Sequence, residues 1–253
     1  MNCDLTGYTA VVTGGAVGIG LGIVEDLLSS GSKVLIADAS QENLNKAAEY
    51  LKGLGLDKFY TFCGDLSEEH VVSNLFYESI SKLTNVHILV NCAGGGVIKP
   101  FLEHTPETFN ATIDRNLWTT LWCSKYFLET MVENKYGRII NIGADSVRNG
   151  LVDHAAYNAA KGGVHGLTTG LAREFAPYNI TVNTVAPSAI RTQVLVDFEK
   201  KDPELAKKFI SVIPLGRAGE IKEVASLVTY LSLPIAGFIT GQVISVNGGS
   251  TML

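Results

Sequence analysis

Seven short apolar runs recur along this chain with helical stretches between them, and that alternation restricts the fold more than any other feature. The runs occupy residues 8–13, 33–37, 59–63, 86–91, 137–142, 180–186 and 242–246. Helical periodicity fills residues 19–29, 41–52, 67–82, 107–134, 154–176 and 222–231, with an interruption expected near Asn116. Gly31 stops the first helix, Pro177 ends the fifth, and Pro234 follows the last. Short apolar strands alternating with helices predict a parallel sheet covered on both faces. The expectation is therefore an α/β fold, a doubly wound parallel seven-stranded sheet in one domain spanning residues 1–253. Residues 189–219 break the alternation, and an inserted segment of that length predicts a lid over a site.

Composition narrows the function. Hydrophobic residues make up 46% of the chain and charged residues only 18%, which suits a well-buried protein with some surface covered by other subunits. The net charge is −5 and there is no basic run, so nucleic acid is not an expected partner. Cys3, Cys63, Cys92 and Cys123 are scattered with no C-x-x-C pair, which argues against a zinc site or a disulfide framework and fits reduced thiols in the cytoplasm. No apolar stretch reaches about 18 residues, and the N-terminus lacks the basic flank and apolar core of a signal peptide.

The first strand runs into Thr13-Gly14-Gly15-Ala16-Val17-Gly18-Ile19-Gly20. A glycine loop between strand and helix lets backbone N–H groups approach a pyrophosphate, and the helix N-terminus adds favourable charge. The spacing is G-x-x-x-G-x-G, and such loops also make ordinary tight turns. Asp38 lies 18 residues beyond Gly20 at the end of the second strand, where a carboxylate accepts hydrogen bonds from a ribose diol and repels a 2′-phosphate. No basic group stands at Gly15, Val17 or Ala39, so the expected cofactor is NAD. Asp65-Leu66 and Asn91-Cys92-Ala93-Gly94 follow the third and fourth strands, at the carboxyl edge where ligands of parallel sheets lie.

Tyr157 and Lys161 are four apart and share one face of a helix. A phenol has an ordinary pKa of about 10, and a neighbouring ammonium favours the phenolate. Such a base exchanges a proton with an alcohol.

This ordered set, Thr13-Gly14…Gly18-Ile19-Gly20, Asp65, Asn91-Cys92-Ala93-Gly94, Asn116, Tyr157-x-x-x-Lys161 and Pro187…Thr192, resembles the short-chain dehydrogenases/reductases of the compact type over nearly the whole chain. The resemblance implies an extended Rossmann fold, a nicotinamide cofactor, and reversible oxidation of a small-molecule alcohol to a ketone or aldehyde. It implies Tyr157 as general acid/base and Lys161 as the group that binds the nicotinamide ribose and lowers the tyrosine pKa. Asn116 would hold a water that relays protons through Lys161. Pro187 is followed by Ile190 and Thr192, which would contact the carboxamide or pyrophosphate. The remaining cofactor contacts would come from Gly14, Val17, Gly18, Ile19, Gly20, Asp38, Asp65, Leu66, Asn91, Ala93 and Gly94. The family commonly forms tetramers through helices here at about 110–134 and 154–176, so a homotetramer is the expected assembly.

One position departs from the pattern. Thirteen residues before the tyrosine the family has a serine that binds the substrate oxygen, and here Ala144 stands there. Loss of one donor to a reacting oxyanion costs about 10²–10³ in rate. Ala144 thus implies a natural or engineered variant of low activity, or a substitute group nearby. Ser146, two positions along, faces the same way on an extended chain but is displaced by about 6–7 Å, so it could serve only if the loop folds back. The substrate pocket is expected near Val97, Ala144, Arg148, Leu151, Tyr157 and residues 190–213, a mostly apolar set suited to a cyclic or branched secondary alcohol, with Arg148 and Arg191 as candidate anion holders. Two other classes compete: a dinucleotide-binding sensor or scaffold that no longer turns over, and a glycine-loop transferase, in which the Tyr157–Lys161 pair has no purpose.

Overall fold

The strands form one parallel sheet in the order β3-β2-β1-β4-β5-β6-β7. They are β1 (Thr9–Thr13), β2 (Lys33–Asp38), β3 (Phe59–Cys63), β4 (Ile88–Asn91), β5 (Gly137–Ile142), β6 (Ile180–Pro187) and β7 (Val243–Val246). The helices are α1 (Gly18–Ser29), α2 (Gln41–Gly53), α3 (Glu69–Leu83), α4 (Pro106–Ile113), α5 (Thr119–Asn134), α6 (Ser146–Asn149), α7 (Ala155–Phe175), α8 (Gln193–Lys201), α9 (Pro203–Ser211) and α10 (Ile221–Ser232). This is a computed structural model describing residues 3–252. Met1, Asn2 and Leu253, at the ends of the expected domain, lie outside the described residues, as do the side chains of Leu205, Lys208 and Phe209 in the inserted segment.

The pleat sorts the apolar residues into two cores. Ala10, Val12, Val34, Ile36, Ile88, Val90 and Ile140 project to one face, where Ile23, Val24 and Leu27 of α1, Leu44 and Leu51 of α2, and Val224 and Val228 of α10 meet them. Val11, Leu35, Leu89, Ile139 and Val182 project to the other, against Val72 and Leu75 of α3, Phe127 and Met131 of α5, and Ala172 of α7. Helices cover both faces of the inner strands, which is why these read as largely apolar runs rather than as apolar–polar alternation. Each fully buried Leu, Ile or Val contributes about 1.5–3 kcal/mol through this burial.

The chain order reverses between β1 and β4, the two neighbours at the centre of the sheet. That switch point opens a crevice at the carboxyl edge, and the glycine loop, Asn91–Gly94 and the end of β5 all converge on it. The interruption expected near Asn116 is a single π turn, Asp114–Trp118, between α4 and α5. The hydroxyls of Thr119 and Thr120 donate to the carbonyls of Arg115 (3.0 Å) and Asn116 (2.9 Å), which satisfies backbone acceptors there. The inserted segment is α8 and α9, a helical pair over the carboxyl edge of the sheet.

Candidate active site

The nucleotide half of the crevice is made mostly of main chain. Gly14 has φ +61°, and a Cβ there would lie 2.7 Å from the Ala93 Cα, so only glycine lets the loop after β1 lie against the chain after β4. Thr13 Oγ1 accepts from the N–H groups of Cys92 (3.1 Å) and Ala93 (3.0 Å), tying the same two segments together. Asp38 accepts from Ala16 N (3.2 Å) and Ser40 N (3.0 Å), so its carboxylate is fixed at the loop. Helix α1 has no side-chain cap and no acid in its first turn, features it shares with α7 and α8, and it starts directly from the glycine loop. Its first N–H groups therefore face the crevice with the positive end of the helix. Thr192 crosses in front of this loop, where a Cβ on Gly18 would lie 3.4 Å from the threonine methyl.

Not every residue expected at the nucleotide reaches into the crevice. Asn91 turns inward: its amide donates to Asn141 Oδ1 (2.9 Å) and Ser124 Oγ (3.3 Å), bracing β4 against β5 and α5. Leu66 is buried in the core with Val72 and Leu75, leaving only its main chain for a ligand. Asp65 accepts from Ser67 N (3.0 Å) and Ser67 Oγ (2.8 Å) in the turn after β3. Val17 is exposed and Ile190 is buried.

Tyr157 and Lys161 sit one turn apart on α7, with the ammonium 6.0 Å from the phenol ring centroid. Lys161 Nζ donates to the Ile142 carbonyl at 2.8 Å, which anchors the lysine on the end of β5. Glycines make the space in front of the pair. A Cβ on Gly96 would come 2.6 Å from the Tyr157 ring, and one on Gly94 would stand 2.8 Å from Asn116 Oδ1 and 3.2 Å from Lys161 Nζ. Asn116 is fully buried, donates to the carbonyls of Gly95 (3.0 Å) and Thr112 (2.8 Å), and accepts from Gly95 N at 3.2 Å. Both of its amide hydrogens are therefore committed, and only its oxygen keeps spare hydrogen-bonding capacity toward Gly94.

Burial dominates the electrostatics of the pair. It pushes the Tyr157 phenol up to about 12, aided by the Cys92 thiol, and pulls the Lys161 ammonium down to about 8, because desolvation disfavours the charged form of each.

Beyond β5 the chain turns. Asp145 is helical (φ −65°, ψ −27°), and α6 starts at Ser146, so the segment folds back as Ser146 would need. Asp145 is fully buried and faces away from the crevice, toward the C-terminal segment. Its carboxylate accepts from Ser245 Oγ (3.1 Å), Asn247 Nδ2 (3.0 Å), Thr251 Oγ1 (3.0 Å), Asn149 Nδ2 (3.3 Å) and the Ser250 hydroxyl. Arg148 reinforces the tie by donating to Ser245 Oγ (2.9 Å) and the Val243 carbonyl (2.8 Å). His165, one turn beyond Lys161, accepts from Ala144 N at 3.5 Å. Burial and the nearby Arg148 and Lys161 charges lower its pKa to about 4, so it stays neutral.

A cleft of about 500 Å³ opens beside Tyr157. Its walls are mainly Ile98, Leu151, Val194, Leu195, Phe198 and Ile213, with Ala144 and Ser146 on the side of the tyrosine. Leu151 lines the cleft, as do Ile190, Val194, Leu195, Phe198 and Ile213 of the inserted segment. Val97 and Arg148 do not line it: Gly95, Gly96 and Ile98 take the place of the first, and Arg148 is committed to β7. Arg191 lies outside, 3.5 Å from Glu199. Sequence reasoning missed His154, Asn149 and Ser250, which reach the cleft from a loop, a four-residue helix and the C-terminal tail. No periodicity marks such positions.

The comparisons with known proteins agree with this geometry. Residues 14–251 match the family model adh_short_C2, described as enoyl-(acyl carrier protein) reductase. The chain belongs to the short-chain dehydrogenase/reductase family. It is 63% identical to 2,3-dihydroxy-2,3-dihydro-p-cumate dehydrogenase of Pseudomonas putida, over 98% of this chain and 96% of that one. It is 35% identical to a 3-oxoacyl-(acyl-carrier-protein) reductase of Aquifex aeolicus, over 98% and 99%. Among solved structures, that of gox2181 superposes with a TM-score of 0.92 at 34% identity, covering 98% of this chain and 97% of that one. As a short-chain dehydrogenase/reductase the protein is an oxidoreductase of secondary alcohols that uses a nicotinamide cofactor. The residues present fit such a group: an uncapped helix N-terminus, two glycine approaches that a Cβ would fill, and a fixed carboxylate at the end of β2. Among the described residues no helix is long and apolar enough to cross a membrane.

Proposed function

We propose that the protein is an NAD-dependent dehydrogenase of a vicinal ring diol, a dihydrodiol related to that of p-cumate, and that it forms the corresponding catechol. The observation that carries the substrate class is 63% identity to a dihydrodiol dehydrogenase over nearly the whole of both chains. The cleft supports it: apolar walls suit an alkyl-substituted ring, and Tyr157 stands at one side. Asp38 supports NAD, since its fixed carboxylate accepts from a ribose diol and repels a 2′-phosphate.

In this reading the N-terminus of α1 and the Gly14–Gly20 loop hold the pyrophosphate, Asp38 the adenine ribose, Lys161 the nicotinamide ribose, and Ile190 and Thr192 the carboxamide edge. The nicotinamide, when bound, accepts hydride and until then carries a positive charge beside Tyr157. The Tyr157 phenolate takes the proton of one substrate hydroxyl as the hydrogen on that carbon leaves with its electron pair, giving a ketone. The neighbouring carbinol carbon then loses its proton, the ketone oxygen gains one, and the ring becomes aromatic. The balance is one diol and one NAD to one catechol, one NADH and one proton.

Burial holds Tyr157 protonated until a positive charge arrives, so oxidation speeds up as pH rises through the tyrosine pKa of the loaded enzyme. Removing the Lys161 charge in Lys161→Met moves that rise to higher pH, because the phenolate loses a neighbouring cation. Ala144 leaves the reacting oxygen without the usual hydroxyl, and turnover is accordingly below what a serine there would give. The apolar groove of Leu121, Leu128, Val132, Leu171 and Phe175 between α5 and α7 supports assembly through those helices into a tetramer.

The test is to incubate the protein with NAD and 2,3-dihydroxy-2,3-dihydro-p-cumate, following NADH by absorbance and the catechol by chromatography. Tyr157→Phe is expected to lower turnover by about 10²–10⁴-fold while NADH still binds. NADH bound tightly with no turnover of any alcohol or diol would instead favour the sensor reading.

A further inference from the structure

A vicinal diol has two oxygens, and the proposed reaction uses only one of them. The second enters the same cleft, and a hydroxyl buried against Leu151, Val194 and Phe198 needs a partner. The polar side chains along the wall are not equally placed to supply one. Asn149 and Ser250 both donate to Asp145, Thr192 lies across the glycine loop on the nucleotide side, and Ser188, just past β6, also borders a second, smaller cavity beside Ile213 and Val246. His154 meets the Tyr157 ring edge-on, with ring centroids 6.1 Å apart, and its Nδ1 is 2.7 Å from the Val152 carbonyl.

Ser146 differs from all of these. It is only 6% exposed, borders the cleft beside Ala144, and donates its hydroxyl hydrogen to Asn158 Oδ1 at 2.6 Å. Asn158 directly follows Tyr157, so this bond fixes the serine oxygen relative to the tyrosine. A hydroxyl that has given its hydrogen to an amide keeps two lone pairs. Ser146 Oγ is thus a positioned acceptor in the wall that carries the tyrosine. The turn beneath it is rigid, since Asp145 binds five donors from α6 and the C-terminal segment.

We infer that Ser146 accepts a hydrogen bond from the second, non-reacting hydroxyl of the diol, and so makes the enzyme selective for vicinal diols over mono-alcohols. This rests on the dihydrodiol reading above and adds a specificity-determining residue to it. Ser146 does not replace the missing hydroxyl at Ala144: that group would serve the reacting oxygen, and Ser146 serves its neighbour. A site built to bond a substrate hydroxyl discriminates strongly against the analogue that lacks it, because its own polar group is then left unpaired.

The experiment compares wild type, Ser146→Ala and Asn158→Ala, each loaded with NAD, on cis-cyclohexane-1,2-diol and cyclohexanol. The readout is the ratio of kcat/KM for diol to mono-alcohol, with thermal melting and NADH affinity measured on each variant. Wild type is expected to prefer the diol at least about tenfold, with Ser146→Ala removing most of that preference. Asn158→Ala, which releases the serine hydroxyl from its anchor, is expected to lower the ratio by a smaller factor. A wild type with no preference, or a preference kept in both variants, overturns the assignment of Ser146 and leaves dihydrodiol oxidation standing. Absence of any oxidation of 2,3-dihydroxy-2,3-dihydro-p-cumate by wild type overturns the reading beneath it and this inference together.

Discussion

The two halves of the crevice are held by different kinds of bond. On the nucleotide side the contacts are made to main chain: Gly14 lies against the Ala93 main chain, the Asp38 carboxylate accepts from Ala16 N, and Thr13 Oγ1 accepts from Cys92 N and Ala93 N. On the substrate side the turn after β5 is held by side chains that arrive from far along the sequence. Asp145 gathers Ser245, Asn247, Ser250 and Thr251, about a hundred residues away, and Arg148 adds β7. Contacts to main chain suit a ligand common to a whole family, because they need little beyond glycine, a helix end and two acceptor side chains. A side-chain anchor suits a substrate of one's own, because each member is separately replaceable.

The largest break in that contrast comes from Asp145→Ala. It removes the acceptor for five donors in a buried setting, where hydrogen bonds to a charged group are worth about 1.5–3 kcal/mol each. We expect a loss of about 3 kcal/mol of stability, after partial relaxation of the exposed tail, measured by urea unfolding. In the protein that remains folded, kcat/KM for the dihydrodiol falls by about 10²-fold, as it does when a reacting geometry slips by about 1 Å. NADH affinity stays close to wild type if the halves are independent. A parallel fall in NADH affinity would show that the anchor supports the nucleotide side as well.

A smaller effect tests the other half. Asp38→Ala combined with Ala39→Arg replaces a carboxylate by a guanidinium near the adenine ribose. One charge-assisted pair with a 2′-phosphate is worth about 2 kcal/mol, so the NAD to NADP preference is expected to move by roughly thirtyfold toward NADP. Because Asp38 also receives Ala16 N and Ser40 N, the absolute affinity for both cofactors drops, and only the ratio of the two is diagnostic. An unmoved ratio places the ribose elsewhere.

The same contrast explains what was legible in the sequence. The sheet and the glycine loop were readable because the inner strands are largely apolar runs buried on both faces, and because Gly14 and Gly18 sit where the backbone has positive φ. Even the π turn at Asn116 showed as a break in a long helical pattern. The substrate wall was not readable in the same way. Arg148 looked like an anion holder, yet β7, almost a hundred residues on, claims it. His154 reaches the cleft from the loop before α7, and Ser250 from a tail bound to Asp145, a partnership of which local spacing carries no trace. The setting of the tyrosine divides in the same way. Its lysine neighbour is local and visible in the sequence, but the burial that raises the phenol pKa comes from the whole fold.

The smallest expected effect concerns the position where the chain leaves its family pattern. Ala144 borders the cleft and is nearly buried, and its N–H points to His165 Nε2. Ala144→Ser adds one hydroxyl without a large change in volume, so the turn held by Asp145 has no reason to move. A donor to the reacting oxygen is worth about 10²–10³ when its geometry has been selected, and a newly introduced one recovers only part of that. We therefore expect turnover of the dihydrodiol to rise roughly tenfold, with the gain in kcat and little change in KM, since the bond strengthens as negative charge grows on the oxygen. The gain should also survive in the Ser146→Ala background, because the two hydroxyls serve different oxygens of the diol. If Ala144→Ser raises turnover only when Ser146 is absent, the two side chains compete for one oxygen, and the wall beside Tyr157 has a single hydroxyl site rather than two.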